Sequence, residues 1–204
     1  PPDFAVGTTP NSVTVGDFNG DGIQDLATAN SGSATVSVLL GEVGGTFAPA
    51  VPRDLNVGSF PRTIKVGDFN NDHKQDLVVA NENGHSVSVL VGRNDGTFDN
   101  AITLTNVGNF PYGVAVGDFD VDGRQDLAVT RRSQAGGDLG SKVVILFNTT
   151  SGPAVTFGVP NTYNVGTDPL SVVMGSFNAI TDDFQDLASG NAASSDVSAL
   201  INGG

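Results

Sequence analysis

The sequence predicts an all-β fold built from four similar units, and three observations carry that prediction. The landmark Gly16 recurs at Gly67, Gly117 and Gly175, a period of about fifty residues that marks a repeat array. The proline of a preceding turn recurs in step at Pro10, Pro61, Pro111 and Pro169. No stretch has helical periodicity; short β-branched and apolar runs alternate instead with clusters of Gly, Asn and Ser.

Each unit reads as four short strands. The first, over 12–16 or 63–67, runs into a loop rich in aspartate, and the second, over 25–29 in the first unit, leaves it. A turn of Asn, Ser and Gly follows at 30–33 and 81–84. The third strand is the most hydrophobic, over 35–40, 86–91, 143–147 and 197–201, and its apolar/small-polar alternation suits a sheet with a buried face. A Gly-Thr-Phe hairpin opens the fourth strand at Phe47 and Phe98, and less faithfully at Phe157. Phe18, Phe69, Phe119 and Phe177 repeat with the period and are expected in the core.

The aspartate loops carry the chemistry. Asp-Phe-Asn-Gly-Asp-Gly-Ile-Gln-Asp begins at Asp17, and the same pattern begins at Asp68 and Asp118. Alternate residues of a tightly curled loop turn inward, so positions one, three, five and nine converge: Asp17, Asn19, Asp21 and Asp25; Asp68, Asn70, Asp72 and Asp76; Asp118, Asp120, Asp122 and Asp126. The backbone carbonyls of Ile23, Lys74 and Arg124 at position seven supply a further oxygen. An all-oxygen set of this size suits Ca²⁺, with its roughly 6 to 8 ligands, about three ions per chain. Position six must let the chain turn back, which Gly22 and Gly123 allow; His73 fits less comfortably, and a weaker second site is expected. A fourth copy places Ser176 at position one, then Asn178, Asp182 and Asp186 across a two-residue insertion, and weak calcium binding or none is expected there. These loops are not EF-hands, because position twelve holds Thr28, Val79 and Val129 in place of glutamate, and the residues that follow each loop read as strand.

Composition narrows the function classes. The net charge is −13, and 13 of the 22 acidic residues lie in the four loops, so three bound Ca²⁺ ions bring the charge to −7 and leave a surface that repels nucleic acid and anionic membranes. With no cysteine, calcium is the natural staple. No apolar run is long enough to span a bilayer, and the N-terminus lacks the features of a signal peptide, which suggests a mature or excised segment. Calcium loops with dissociation constants of roughly 10⁻⁴ to 10⁻³ M fill outside cells, which points to a secreted or cell-surface location. Asn148-Thr149-Thr150 matches a glycosylation acceptor. Two histidines, no cysteine and no phosphate-cradling loop argue against an enzyme, and carboxylates repeated in every unit argue for structure, since an active site is built once.

A repeat of this size with four antiparallel strands has the dimensions of a β-propeller blade. The motif Asp-Phe-Asn-Gly-Asp-Gly-x-x-Asp-Leu with its downstream Gly-Thr-Phe turn resembles the FG-GAP (VCBS) repeat, the calcium-binding blade of integrin α-subunit propellers and of many secreted proteins. The resemblance covers all four units and implies a propeller with calcium between strands one and two of a blade, and a role in adhesion or carbohydrate binding. The blades are expected over about 8–58, 59–108, 109–166 and 167–204, in one domain. Residues 4–7 match the end of a fourth strand, so 1–7 are expected to complete the last blade, by ring closure within one chain or by pairing with another copy. A closed four-blade ring, half of a larger propeller and a fragment are all compatible, and open blade edges imply self-association.

Ligand recognition is expected on the rim opposite the calcium loops, where Asn30, Ser31, Phe60, Arg62, Asn81, Asn83, His85, Phe110 and Tyr112 fall. An insertion over 131–142 adds Arg131, Arg132 and Lys142 in an otherwise acidic chain. Aromatic faces stack on sugars, and basic groups hold acidic sugars or Asp-bearing peptides; equally, Phe60 and Phe110 could fill gaps between blades. The expectation is a calcium-binding, non-catalytic extracellular module that recognises a carbohydrate or protein. The alternatives are a lectin-like accessory domain of a polysaccharide-active enzyme and a structural self-assembly repeat.

Overall fold

A computed structural model describes residues 2–132, 141–177 and 184–202. The described residues form fifteen strands, with no helix, in four antiparallel sheets. The first holds β1 (Pro10–Gly16), β2 (Asp25–Asn30), β3 (Thr35–Glu42) and β4 (Thr46–Asn56); the second β5 (Pro61–Gly67), β6 (Asp76–Asn81), β7 (Ser86–Leu90) and β8 (Ile102–Leu104). The third holds β9 (Pro111–Gly117), β10 (Asp126–Arg131), β11 (Lys142–Leu146) and β12 (Asn161–Asn164), and the fourth β13 (Pro169–Gly175), β14 (Asp186–Asn191) and β15 (Asp196–Leu200). Strand order follows chain order in every sheet, so each is a meander made of hairpins, as the turn chemistry predicts.

The sheets stack as blades, with β1 against β5, β5 against β9 and β9 against β13. Each junction buries apolar residues of two blades. Phe18, Ala29, Val36 and Val38 of the first blade meet Ile64, Leu77, Val79 and Leu90 of the second. Phe69, Val78 and Val87 then meet Val114, Leu127 and Leu146 across the next junction. An aromatic from the segment before the fourth strand plugs each of these two: Phe98 lies edge-on to Phe18 at 5.6 Å and Phe157 to Phe69 at 6.1 Å. Between the third and fourth blades no aromatic of a fourth strand occupies that place among the described residues, and a cavity of about 260 Å³ opens beside Phe119, Tyr163 and Leu200.

The two ends of the stack are uncovered. Val13 and Val15 are exposed on the first blade, and Val197 is 71% exposed on the fourth. Phe177 departs from the sequence expectation for the same reason. Its equivalents Phe18, Phe69 and Phe119 are buried by the blade that follows, and Phe177, 49% exposed, has no such cover among the described residues. Residues 2–7 do not lie on β15, whose partner is β14. They rest on the first blade, with Phe4 edge-on to Phe47 at 5.2 Å and the Gly7 N–H donating to Ser37 Oγ at 3.0 Å.

Candidate metal sites

Three loops join the inner two strands of the first three blades, and position one organises each. Asp17 accepts the backbone N–H groups of Gly20, Asp21 and Gly22 at 2.8, 3.2 and 2.9 Å. Asp68 accepts those of Asp72 and His73, and Asp118 those of Asp122 and Gly123. Position five holds the next turn: Asp21, Asp72 and Asp122 accept the N–H of Ile23, Lys74 and Arg124 at 2.7, 3.0 and 2.9 Å. The curl needs left-handed backbone at two positions. Position six has it at Gly22, His73 and Gly123, and position four at Gly20, Asn71 and Val121, with φ near 60° at the valine. The position-four requirement was not anticipated from sequence, because two of its three occupants carry side chains.

Position nine does more than offer a ligand. Asp25, Asp76 and Asp126 are buried, and each carboxylate receives one N–H from the loop and one from the end of the third strand: Phe18 and Gly41, Phe69 and Gly92, Phe119 and Asn148, all at 2.7 to 2.9 Å. Asp186 makes the same pair of bonds with Phe177 and Asn202, so the fourth blade keeps the clip. Asn178 and Asp182, expected as weak ligands beside it, lie outside the described residues.

Burial is the main cause that pushes Asp76 and Asp126 up to about 6, against the two backbone hydrogen bonds and with the help of the other loop aspartates. Asp25 is raised for the same reasons, and burial followed by Asp122 and Asp118 raises Asp120. Asp118, Asp120 and Asp126 present carboxylate oxygens all within 4.8 Å of one another, close enough to hold a metal ion. Like charges gathered there, with Asp126 buried, fit a hard divalent cation and an all-oxygen shell. Two loops also carry a cation of their own. Lys74 Nζ lies 3.4 Å from Asp72, and Arg124 pairs with Asp122. The first loop has Ile23 at that position.

Neighbouring blades close these loops. Gln75 Oε1 accepts the Asp17 N–H at 2.8 Å, and Gln125 Oε1 the Asp68 N–H at 2.7 Å. Each glutamine lies so near the preceding Gly16 or Gly67 that a Cβ there would meet it at 2.2 or 2.8 Å, and Gln185 lies likewise over Gly117. Asn148 and Asn202 reach the Phe69 and Phe119 carbonyls at 2.9 and 2.8 Å. Asn148 is therefore 1% exposed with its amide engaged, and the glycosylation pattern it begins is closed to modification in the fold. None of these bridges was read from sequence, although Gln24, Gln75, Gln125 and Gln185 recur with the period.

At the opposite ends of the strands, the structure divides the expected ligand residues. Asn30 and Asn81 are fully buried and donate to Ser37 and Ser88 on the third strands, and Ser31 is nearly so; these are internal struts. Phe60, Arg62, Tyr112 and Arg132 come together: the Arg62 guanidinium sits 4.4 Å from the Phe60 ring centre, and Arg62 and Arg132 lie 5.2 and 5.1 Å from that of Tyr112. Glu82, almost buried, pairs with both arginines, and Arg132 also meets Asp168 at 2.6 Å. Arg62 and Arg132 are thereby neutralised, and Arg132 ties three blades. His85 stands edge-on to Phe110 at 4.6 Å and accepts its N–H. Arg131 lies over Gly108 and donates to the Asn109 carbonyl. Phe60 and Phe110 are half-buried on the rim.

Blades of this topology, repeated and stacked through their inner strands, define a β-propeller-like module. The sequence model of the FG-GAP-like repeat matches residues 17–79 and 68–129, and the chain belongs to that family. No curated protein matches the chain. Among solved structures, a putative 6-phosphogluconolactonase from Bacteroides fragilis aligns with 95% of this chain and 54% of its own, at 16% identity and a TM-score of 0.62. BBS1N, solved in complex with ARL6DN, aligns with 97% of this chain and 58% of its own, at 16% identity and a TM-score of 0.56. Such identities establish the fold alone, and the chain spans little more than half of either structure.

Proposed function

We propose that this chain is a calcium-binding, non-catalytic module that works outside the cell in adhesion or ligand recognition, with a carbohydrate or protein as its ligand. The observation that carries the reading is the convergence of Asp118, Asp120 and Asp126 in the third loop, whose hydrogen-bonded curl and buried ninth-position carboxylate recur in the first two. Asp17, Asn19 and Asp21 hold the ion in the first loop, with Asp25, the carbonyl of Ile23 and water; the second and third loops use the equivalent residues. Bound calcium neutralises the loop and stiffens the turn that each following blade grips. Repetition supports a structural role for these carboxylates over a catalytic one.

Recognition falls to the opposite rim. With Arg62 and Arg132 already paired to acids, its free character is aromatic and polar, which suits a neutral sugar or a peptide better than an anion. Equilibrium dialysis with a metal count tests the first part, and about three Ca²⁺ per chain is the expected result. A glycan array with and without EDTA tests the second: signal lost in Phe60→Ala and Phe110→Ala supports sugar binding, and no signal on any glycan assigns the rim to proteins.

A further inference from the structure

Two junctions in the interior of the stack share a plan, and the second departs from it at one place. At the first junction the hairpin over 93–97 sits directly on the aspartate loop of the preceding blade. Gly96 donates its N–H to the Phe18 carbonyl at 2.9 Å, and Asn94 lies so near Gly20 that a Cβ there would meet its amide at 2.3 Å. At the second junction the Phe69 carbonyl accepts from the Asn148 side chain instead, and the hairpin that follows, over 149–156, is longer. A cavity of about 260 Å³ opens there, against Phe69, Asn70 and Asn71, the counterparts of Phe18, Asn19 and Gly20. Its walls are braced. The Asn148 carbonyl accepts Arg124 Nε at 2.7 Å, Asn148 Oδ1 accepts the Thr150 N–H at 2.9 Å, and Thr150 Oγ1 accepts the Thr156 N–H at 2.9 Å. Asn71 Nδ2 reaches the Gly123 carbonyl at 3.4 Å and joins the second loop to the third. Four polar groups of the lining residues have no hydrogen-bond partner among the described residues: Arg124 Nη1, Asn70 Nδ2, Asn71 Oδ1 and Ser151 Oγ.

We propose that this cavity is a ligand site on the aspartate-loop rim, separate from the opposite rim, and that it takes one ring of an acidic sugar, a uronate. Repetition assigns the loops to structure, and the one place where a repeated contact gives way to a polar cavity is where a single ligand fits. The volume lies just below the roughly 300 to 1,000 Å³ of drug-sized sites, which suits one ring and not a chain of them. Free donors and a free acceptor side by side match hydroxyl groups, which both donate and accept. The Arg124 guanidinium supplies the planar, charged donor set that a carboxylate prefers. Arg124 also pairs with Asp122, and here the inference rests on the metal reading: calcium that claims Asp122 in the third loop releases the guanidinium to the cavity. Asn70 offers its Oδ1 to the second loop's ion and keeps Nδ2 for the sugar.

Calorimetric titration of the chain with glucuronate in millimolar calcium tests the site. Glucuronate should bind, and glucose, with a hydroxymethyl group in place of the carboxylate, should bind about tenfold more weakly or worse. Arg124→Gln should remove that preference. Ser151→Phe, at an exposed position of the lining, should block both sugars with an unchanged circular dichroism spectrum. No binding of either sugar, equal affinity for the two, or glucuronate binding that Ser151→Phe leaves intact each overturns the proposal. A metal count on the same samples separates this failure from that of the metal reading: a protein that takes up about three Ca²⁺ and no glucuronate loses the cavity site and keeps its metal sites.

Discussion

Gln75 Oε1 accepts the Asp17 backbone N–H at 2.8 Å, so a side chain from the second blade closes the aspartate loop of the first. The bond joins two functions that local sequence keeps apart, because it fixes the first ligand of one loop through the blade that packs behind it. Gln75→Leu leaves the N–H of Asp17 without its acceptor and is expected to cost about 1 to 3 kcal/mol. Calcium affinity should fall at the first loop and hold at the second, whose acceptor is Gln125. Calcium titration followed by NMR of the two loops checks this, and equal weakening of both would remove the link.

The extent to which the sequence was legible follows from the same distinction. Strands and the curled aspartate loops could be read because their signals are local: Gly16 and its equivalents end a strand, and Asp17 to Asp25 curl within nine residues. Asn30 and Asn81 were misplaced because a polar residue next to a turn looks like rim, while the serines that hold them sit on the adjacent strand. Phe177 has the sequence context of Phe18, and only the presence or absence of a following blade separates their burial. Arg132 of the basic insertion is paired, and its acids, Glu82 and Asp168, come from other blades. What failed was contact beyond the local stretch, between strands of one blade for Asn30 and Asn81 and between blades for the rest.

Val121 is the residue most at odds with its backbone. It is β-branched, half-exposed and held in the left-handed region at φ 60°, where Gly20 stands in the first loop. The conformation costs an L-residue roughly 1 to 2 kcal/mol, of which glycine's greater freedom in the unfolded chain gives back about 0.5 to 1. Val121→Gly should therefore raise the melting temperature by about 2 °C in the metal-free protein. A lower melting temperature would mean that the valine side chain contributes contacts that outweigh its strain.

Asp76 and Asp126 impose a pH dependence of definite sign. Both are raised in the fold to about 6 from an ordinary value of 3.8, chiefly by burial. Protonated, they suit the metal-free fold, so their contribution is complete below about pH 4 and is lost as pH rises through about 6. Calcium takes the ionised form, so its binding strengthens over the same interval. Melting curves in EDTA should shift downward from pH 4 to 7, while the increment given by calcium grows. A chelated protein whose stability rises across that window would show that other groups dominate.

The three metal loops should not be equal. In the second, Lys74 Nζ stands 3.4 Å from Asp72, and in the third Arg124 pairs with Asp122, so each cation partly neutralises a ligand that calcium must claim; the first loop, with Ile23 there, has no such competitor. His73, left-handed at φ 63°, burdens the second loop further. Val121, left-handed at φ 60°, burdens the third loop likewise, so the first site is expected to be the tightest. At ten times its dissociation constant, calcium adds about 1.4 kcal/mol of stability per filled site, so three sites together add about 4 kcal/mol over the chelated protein. Lys74→Ile should strengthen the second site several-fold and leave the first untouched, as measured by calorimetric titration. If the lysine instead helps to hold the loop in shape, the variant will bind calcium more weakly and melt lower in EDTA, and the first site's lead over the second will then rest on backbone strain alone.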